Sequence, residues 1–371
     1  MKIVVILPTY NERENIIPLL NALEAQKAVV KKHSISFLVA DDTSPDGTKN
    51  AVEEYRKTHK DVFCISGKKE GLGKALLRGM TYAVDVLHAD VIVQIDADLS
   101  HDPKKFPEFI KAIDNGADFA VGSRYIKGGS IPENWGLHRK IFSIVGNAIV
   151  RYGLGYPSVH DWTGGYRAFK KRFFTQAQDE MNVYSGYVFQ IAFLHKAVKR
   201  GAKIVEIPFH FTDRLYGRSK IAPFEYIKNV LEYVIQARIK DILEGSFGKF
   251  AVVGTIGFII NTIVLVGLKK IGFHPAIGSA IGAECAIISN FILNNAWTFK
   301  ERKITGIKKI GKFIQFNITS IGAIIIQSGT VYIGTALFGV PLYFYFYILG
   351  VGFGLIWNYC MYSQVIWKKS T

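Results

Sequence analysis

Beyond residue 249 the chain carries uncharged runs of a length that few water-soluble folds tolerate: residues 250–268 make 19 positions without a charge, and 313–337 and 342–366 make 25 each. A helix rises about 1.5 Å per residue, so each run is long enough to cross the roughly 30 Å hydrocarbon core of a bilayer. Residues 275–293 form a weaker fourth run, because they hold Glu284 and Asn290. An acid at that depth costs about 2.5–3.5 kcal/mol, which marks Glu284 as a functional position, or as one near an interface or against a polar helix neighbour such as Asn290 or Gln327. Four crossings place the loop 300–312, with six Lys or Arg and one acid, and the tail WKKST on the side of the N-terminal half. The positive-inside tendency makes that side the cytosol. The expectation is a multi-pass cell-membrane protein whose N-terminal domain and C-terminus are cytosolic, with no oligomeric state specified.

The net charge of +16 calls for an anionic partner. From residue 244 onward eleven Lys or Arg face three acids, clustered between apolar runs without interleaved aromatics. That pattern suits a lipid bilayer and not a nucleic acid. Cys64, Cys285 and Cys360 show neither disulfide nor metal-ligand spacing. The N-terminus, MKIVVILPTYNER, reads as a first strand and not as a signal peptide, since its apolar run is short and no small-residue cleavage site follows.

Up to about residue 222 the texture is different: short β-rich runs alternate with helix-length amphipathic ones. Strands are expected at 3–8, 36–40, 62–66, 91–95, 119–122 and 204–208, and helices at 14–25, 49–57, 73–87, 103–115 and 137–152. Strands apolar on both faces and alternating with helices imply an α/β fold with a Rossmann-like, mostly parallel sheet, whose ligands gather beyond the carboxyl ends of the strands. The expected division is an α/β domain over 1–222, a juxtamembrane amphipathic helix or linker over 223–248, and an all-α transmembrane domain of four helices over 249–371. No internal repeat is evident.

The fourth expected strand, VIVQI, runs directly into DADLSHDP. A D-x-D alone fits a solvated strand-to-helix turn just as well. Its place at the carboxyl end of a buried strand, with Pro103 opening a helix, aims Asp96 and Asp98 at the ligand crevice. Two hard oxygen ligands suit Mg2+ or Mn2+, which takes its remaining ligands from water and a diphosphate, so a nucleotide-linked donor is indicated. The stretch GKKEGLGKA (67–75) looks like a phosphate loop, but Leu72 and Ala75 stand where that motif needs glycine and a hydroxyl. As a dinucleotide fingerprint it fails at Leu76, where the third glycine belongs.

In their order and spacing, LPTYNERENI, VADDTSPDGT, GLGKALLRGM, DADLSHDP, GSRYIKGG, DWTGGYRAF, SGYVFQ and DRLYGRSKI resemble the catalytic domain of dolichol-phosphate mannosyltransferases, family 2 glycosyltransferases with a GT-A fold. GKFAVVGTIGFIIN, SNFILNNAWTFK and NYCMYSQVIWK are similar to the GtrA-like four-helix membrane family. The resemblance implies inverting transfer of mannose from GDP-mannose to dolichyl or another polyprenyl phosphate at the cytosolic membrane face. It implies that Pro8, Tyr10, Glu12, Val39 and Asp41 hold the guanosine. Asp96, Ala97 and Asp98 would hold ribose, diphosphate and metal, with Ser100 as a further ligand, although some relatives have glutamine there. Arg124, Arg214 and Lys220 would face the donor phosphates, and Arg124, Arg139 and Ser143 the phosphate of the lipid. Asp96, Asp98 and Arg124 are the expected catalytic residues.

Residues 137–152 bear on the acceptor independently. Leu137, Ile141, Ile144, Val145, Ala148 and Tyr152 recur at helical spacing, while Arg139, Ser143, Asn147 and Arg151 run along another face. An interfacial helix would rest the apolar side in the membrane boundary and present Arg139 and Ser143 to a lipid phosphate; a plain surface helix is the simpler reading. DRLYGRSK (213–220) packs three cations and a glycine, as a lid over phosphates would. Asp161 is expected either to touch sugar hydroxyls or to cap a turn. A lipid monophosphate has a second pKa of about 6 and needs no strong base, and no Ser/His/Asp or Cys/His set stands out. Two other functions are weighed: a polyprenyl-phosphate glucosyltransferase taking UDP-glucose, and a lipid-linked-sugar transporter with a regulatory soluble domain, against which the intact DADLS, DRLYGRSK and Arg124 blocks argue. For the membrane half, an anchor is favoured over a flippase.

Overall fold

The computed structural model describes residues 1–213 and 223–368. Arg214 and Lys220, both expected at the site, lie outside the described residues. The chain divides into two units, Met1–Arg238 and Ile239–Thr371.

In the first unit seven strands form one sheet: β1 (Lys2–Thr9), β2 (Ser34–Asp41), β3 (Val62–Ser66), β4 (Val91–Gln94), β5 (Phe119–Ser123), β6 (Arg167–Lys170) and β7 (Ile204–Pro208). Their order is β3-β2-β1-β4-β6-β5-β7. β6 runs antiparallel to β4 and β5, and the other pairs are parallel. Side chains alternate between two cores, as a strand's period of two requires. Val4 and Ile6 join Leu38 and Ile92 on one face, and Ile3, Val5 and Leu7 join Val39 and Val93 on the other. Helices α1 (Arg13–Lys27), α2 (Thr48–Tyr55) and α4 (Phe106–Asp114) cover the second face. The first is covered by α3 (Leu72–Asp85), α5 (Leu137–Gly153), α6 (Lys171–Met181), α7 (Gly186–Lys199) and α8 (Pro223–Glu244).

The antiparallel β6 positions the site. Its first residue, Arg167, pairs with Gln94, the last residue of β4, and Gln94 in turn pairs with Ile6 of β1. The loop that enters β6, residues 161–166, therefore lies at the edge where β1 and β4 leave the sheet. Neither β6 nor α6 and α7 was expected from sequence.

Helix α5 is built inside out. Leu137 and Tyr152 are 74% and 64% exposed and Ile141, Ile144 and Val145 about half exposed, whereas Asn147 is buried.

The second unit holds α9 (Ser246–Lys270), α10 (Pro275–Leu293), α11 (Lys308–Phe338) and α12 (Tyr343–Met361). Among the described residues, α9 and α11 are long and apolar enough to cross a membrane. α9 packs on α10, and α11 on α12. The first contact is close because Gly257 lies under Asn290, where a Cβ would come within 2.4 Å of the amide. Glu284 is exposed on α10.

Each pair ends in a π-helical turn, Asn294–Thr298 and Tyr362–Ile366. The residues around them recur at an interval of 68: Asn290 and Asn358, Phe291 and Tyr359, Phe299 and Trp367, Lys300 and Lys368. The two turns also hold each other. Trp367 donates its indole N–H to Asn295 Oδ1 (3.0 Å), and Arg302 donates to the carbonyls of Ser363 (3.2 Å) and Trp367 (3.0 Å). Such turns free carbonyls from the helix ladder, and here a cation takes two of them.

Candidate active site

Three strands end at the same edge, and each is followed by a left-handed residue that is not glycine: Asn11 after β1 (φ 60°), Thr43 after β2 (φ 54°) and Leu99 after β4 (φ 60°). Such positions cost about 1–3 kcal/mol each and persist only where neighbours hold them. Thr212 supplies the hold on Leu99, through Oγ1 to the Leu99 carbonyl (3.3 Å) and N–H to the Ser100 carbonyl (3.3 Å).

Between these exits lies a pocket of about 620 Å³, whose lining includes Pro8, Tyr10, Glu12, Asp96, Ala97 and Asp98. Six of the expected donor residues are thereby brought together. Val39 and Asp41 are not in the lining. Val39 is fully buried within β2. Asp41 clamps two strand exits, since its carboxylate accepts from Thr9 Oγ1 (3.0 Å), Ser44 Oγ (2.6 Å) and Ser44 N–H (2.9 Å). The neighbouring Asp42 reaches the pocket wall instead, paired with Arg78 at 2.6 Å. Burial pushes its carboxyl above the usual range against the pull of that guanidinium. Ser100 is buried and donates to Asp98 Oδ1 from its hydroxyl (2.6 Å) and its N–H (3.1 Å), so it orients that carboxylate. Asp96 donates its N–H to Nδ1 of the buried His101 (3.1 Å).

The look-alike phosphate loop also reaches the pocket, through Lys69, Gly71, Leu72 and Ala75. Lys69 Nζ sits 3.6 Å from the Tyr10 ring centroid. Its spacing fails the motif, yet its place after β3 puts it at the ligand edge, which was the usable signal. Thr163, Gly165, Ser185 and Gln190 line the pocket as well and were not foreseen.

Arg124 stands behind this lining. Its Nε and Nη2 donate to Asp161 Oδ2 (2.7 Å) and Oδ1 (2.8 Å), and Nη2 also to Thr163 Oγ1 (2.8 Å). Asp161 further accepts from the N–H groups of Arg124 (3.1 Å) and Gly164 (3.0 Å), so it caps the turn that enters β6. Burial opposes both charges, but each overrides the effect on the other: the carboxyl is held below its usual range and the guanidinium above its own. Beneath the turn, the fully buried Arg167 donates to the carbonyls of Trp162 (2.9 Å), Gly164 (2.8 Å) and Gln190 (2.6 Å). Burial pushes its pKa down to about 9, so it stays charged at neutral pH.

The polar stripe of α5 faces this network. Ser143 Oγ lies 2.5 Å from the Tyr125 hydroxyl, and Asn147 accepts from Trp162 N–H (2.8 Å) while donating to Thr163 Oγ1 (3.2 Å). Arg139 lies over the Trp135 ring (3.8 Å) and donates to Asp213 (3.3 Å), which also accepts from the Trp135 indole (2.7 Å). Ser143 and Asn147 thus sit on the inward face of a helix whose outward face is largely apolar, whereas Arg139, one turn earlier, is exposed.

Among the described residues no group of three or more His, Cys, Asp or Glu could hold a metal. Asp96 and Asp98, a pair and not a triad, carry the hard oxygen donors that a divalent cation prefers.

Paired carboxylates at the exit of a central strand, in a mixed sheet of this order, fit the GT-A arrangement that the sequence resemblance implies. Residues 4–177 match the family described as Glycosyl transferase family 2, and residues 249–367 match GtrA/DPMS, transmembrane domain. The chain is 32% identical over 334 residues to the dolichol-phosphate mannosyltransferase of Pyrococcus furiosus, covering 88% of this chain and 89% of that one. It is 37% identical over 240 residues to the polyprenol monophosphomannose synthase of Mycolicibacterium smegmatis, covering 63% and 88%. Among solved structures, glucosyl-3-phosphoglycerate synthase from Mycobacterium tuberculosis aligns with a TM-score of 0.47 at 16% identity, over 64% of this chain and 78% of that one. The chain belongs to glycosyl transferase family 2, in the membrane-bound form that carries a GtrA/DPMS domain.

Proposed function

We propose that the protein transfers mannose from GDP-mannose to a dolichyl or other polyprenyl phosphate, with inversion, at the cytosolic face of a membrane that its second unit crosses four times. The observation that carries this reading is the likeness to a dolichol-phosphate mannosyltransferase over 89% of that relative, spanning the carboxylate crevice and the membrane unit in the same order. Residues 223–248 serve as the juxtamembrane link.

In this reading Pro8, Tyr10 and Glu12 hold the guanosine, with Asp41 shaping the wall behind them. Asp96 and Asp98 hold Mg2+ or Mn2+, with Ser100 fixing the carboxylate of Asp98. When bound, the cation neutralises charge building on the leaving diphosphate. Arg214 and Lys220 supply positive charge to the phosphates, and Arg124, held by Asp161 behind the lining, orders the wall that faces them. The phosphate oxygen of the acceptor is already anionic at neutral pH and attacks C1 of the sugar directly, while the bond from C1 to the diphosphate oxygen breaks and its electron pair leaves with GDP. The protein's task is alignment and charge stabilisation. The apolar outer face of α5 rests in the membrane boundary, so that Arg139 and Ser143 are offered to the lipid phosphate.

Membranes containing the protein, incubated separately with labelled GDP-mannose and UDP-glucose, should label the lipid fraction from GDP-mannose only. Labelling from UDP-glucose alone overturns the donor assignment. Arg139→Ala should raise the KM for acceptor about tenfold, the loss of roughly one charge-assisted contact, and leave GDP-mannose affinity nearly unchanged. Calorimetry showing donor affinity falling as far as acceptor affinity would place Arg139 elsewhere.

A further inference from the structure

Part of the pocket wall has no role in the reading above. Ser185, Gly186, Tyr187 and Val188 line it at the start of α7, and Gln190 lines it one turn in. The first amides of a helix have no acceptor within that helix, and Ser185 supplies no side-chain cap. Gln190 is 2% exposed, yet its Oε1 has no hydrogen-bond partner among the described residues. A buried amide oxygen left unmatched is costly, so its natural occupant is a donor brought by a ligand.

The backbone at this point is fixed. Arg167 holds the Gln190 carbonyl at 2.6 Å, and the same guanidinium holds the carbonyl of Gly164 at 2.8 Å. The next residue, Gly165, approaches Asp96 so closely that a Cβ there would lie 3.0 Å from Oδ1. Gln190 and the loop that passes beside Asp96 are therefore braced by one buried cation.

The chemistry of the carboxamide selects among the parts of the ligand. It offers an acceptor and a donor side by side. A diphosphate at neutral pH offers acceptors only and cannot satisfy Oε1; the guanosine also carries donors, but the proposed reading gives it to Pro8, Tyr10 and Glu12, which leaves a hexose hydroxyl, both donor and acceptor. We propose that Gln190 and the first turn of α7 form the hexose subsite of this pocket, the amide reading a ring hydroxyl of the donor sugar. The subsite rests on the pocket being a nucleotide-sugar site, and the test separates the two claims.

Calorimetry on the full-length, detergent-solubilised protein with Mn2+ would compare GDP with GDP-mannose. Gln190→Leu should bind GDP within about twofold of the parent and GDP-mannose about tenfold to a hundredfold more weakly, the penalty for one unmade buried hydrogen bond. GDP-mannose analogues lacking single hydroxyls give a second measurement that needs no variant. One of them should lose a similar factor on the parent protein, and Gln190→Leu should lose nothing further with it. Equal weakening of GDP and GDP-mannose in the variant, unchanged GDP-mannose binding, or a parent protein indifferent to every deoxy analogue would each overturn the subsite. A parent that binds neither ligand sinks the donor reading and the subsite together.

Discussion

Asp98→Ala should abolish transfer, lowering kcat on the order of a thousandfold with Mg2+ or Mn2+ at saturation, because one of two carboxylates facing the diphosphate is gone. Asp98→Asn should fail almost as badly, since it keeps the volume and the Ser100 contacts but not the charge. The check is labelled-mannose transfer by purified protein at several metal concentrations. Near-normal turnover in either variant would mean that Asp98 holds no cation.

The second large effect concerns stability. Asp161→Ala leaves Arg124 charged in a site where both side chains are almost fully buried. Breaking a buried pair from one side costs about 3–5 kcal/mol, whereas replacing both members by apolar residues of similar size is often close to neutral. Urea unfolding of Asp161→Ala, followed through the buried Trp162, should show that loss, and Arg124→Met with Asp161→Leu should recover much of it. Acid provides an independent check on the same pair. The Asp161 carboxyl is held below its ordinary value of 3.8 in the folded protein. The folded state therefore binds fewer protons than the unfolded one in that range, and stability present above pH 3.8 is lost as pH falls through the lower folded value. Asp161→Asn should flatten this acid dependence, and an unchanged slope would mean that the pair does not carry it.

Much of the sheet is legible because its strands are apolar on both faces. β3 and β7 fall on the expected residues, and β1 and β2 extend theirs by one or two positions. β6 is illegible for a physical reason: RAFK is four residues long and contains an arginine whose burial is bought by three carbonyls contributed from elsewhere in the fold. No local pattern announces that. The same limit applies to the site. Asp96 and Asp98 stand out through their place after a buried strand. Gln190 ends the SGYVFQ block, but its helix also carries His195, Lys196 and Lys199, and no local pattern says which of these polar side chains lines a pocket. Asp41 shows the converse, an acid at a strand exit whose carboxylate is occupied by Thr9 and Ser44. For α5 the two faces were readable, but which one points inward follows only from Asn147 meeting Trp162 and Thr163.

The paired π-helical turns have a consequence for biosynthesis. The first hairpin of the membrane unit is translated well before Trp367, the residue whose ring stacks on Phe299 at 4.7 Å and whose N–H meets Asn295. During that interval the aromatic cluster lacks its 1% exposed centrepiece, and Arg302 lacks the carbonyls it later holds. The nascent hairpin can insert, but it cannot close. A message truncated between the two turns would therefore yield an unsealed intermediate, with aromatic faces open to membrane chaperones and proteases, and not a smaller working anchor.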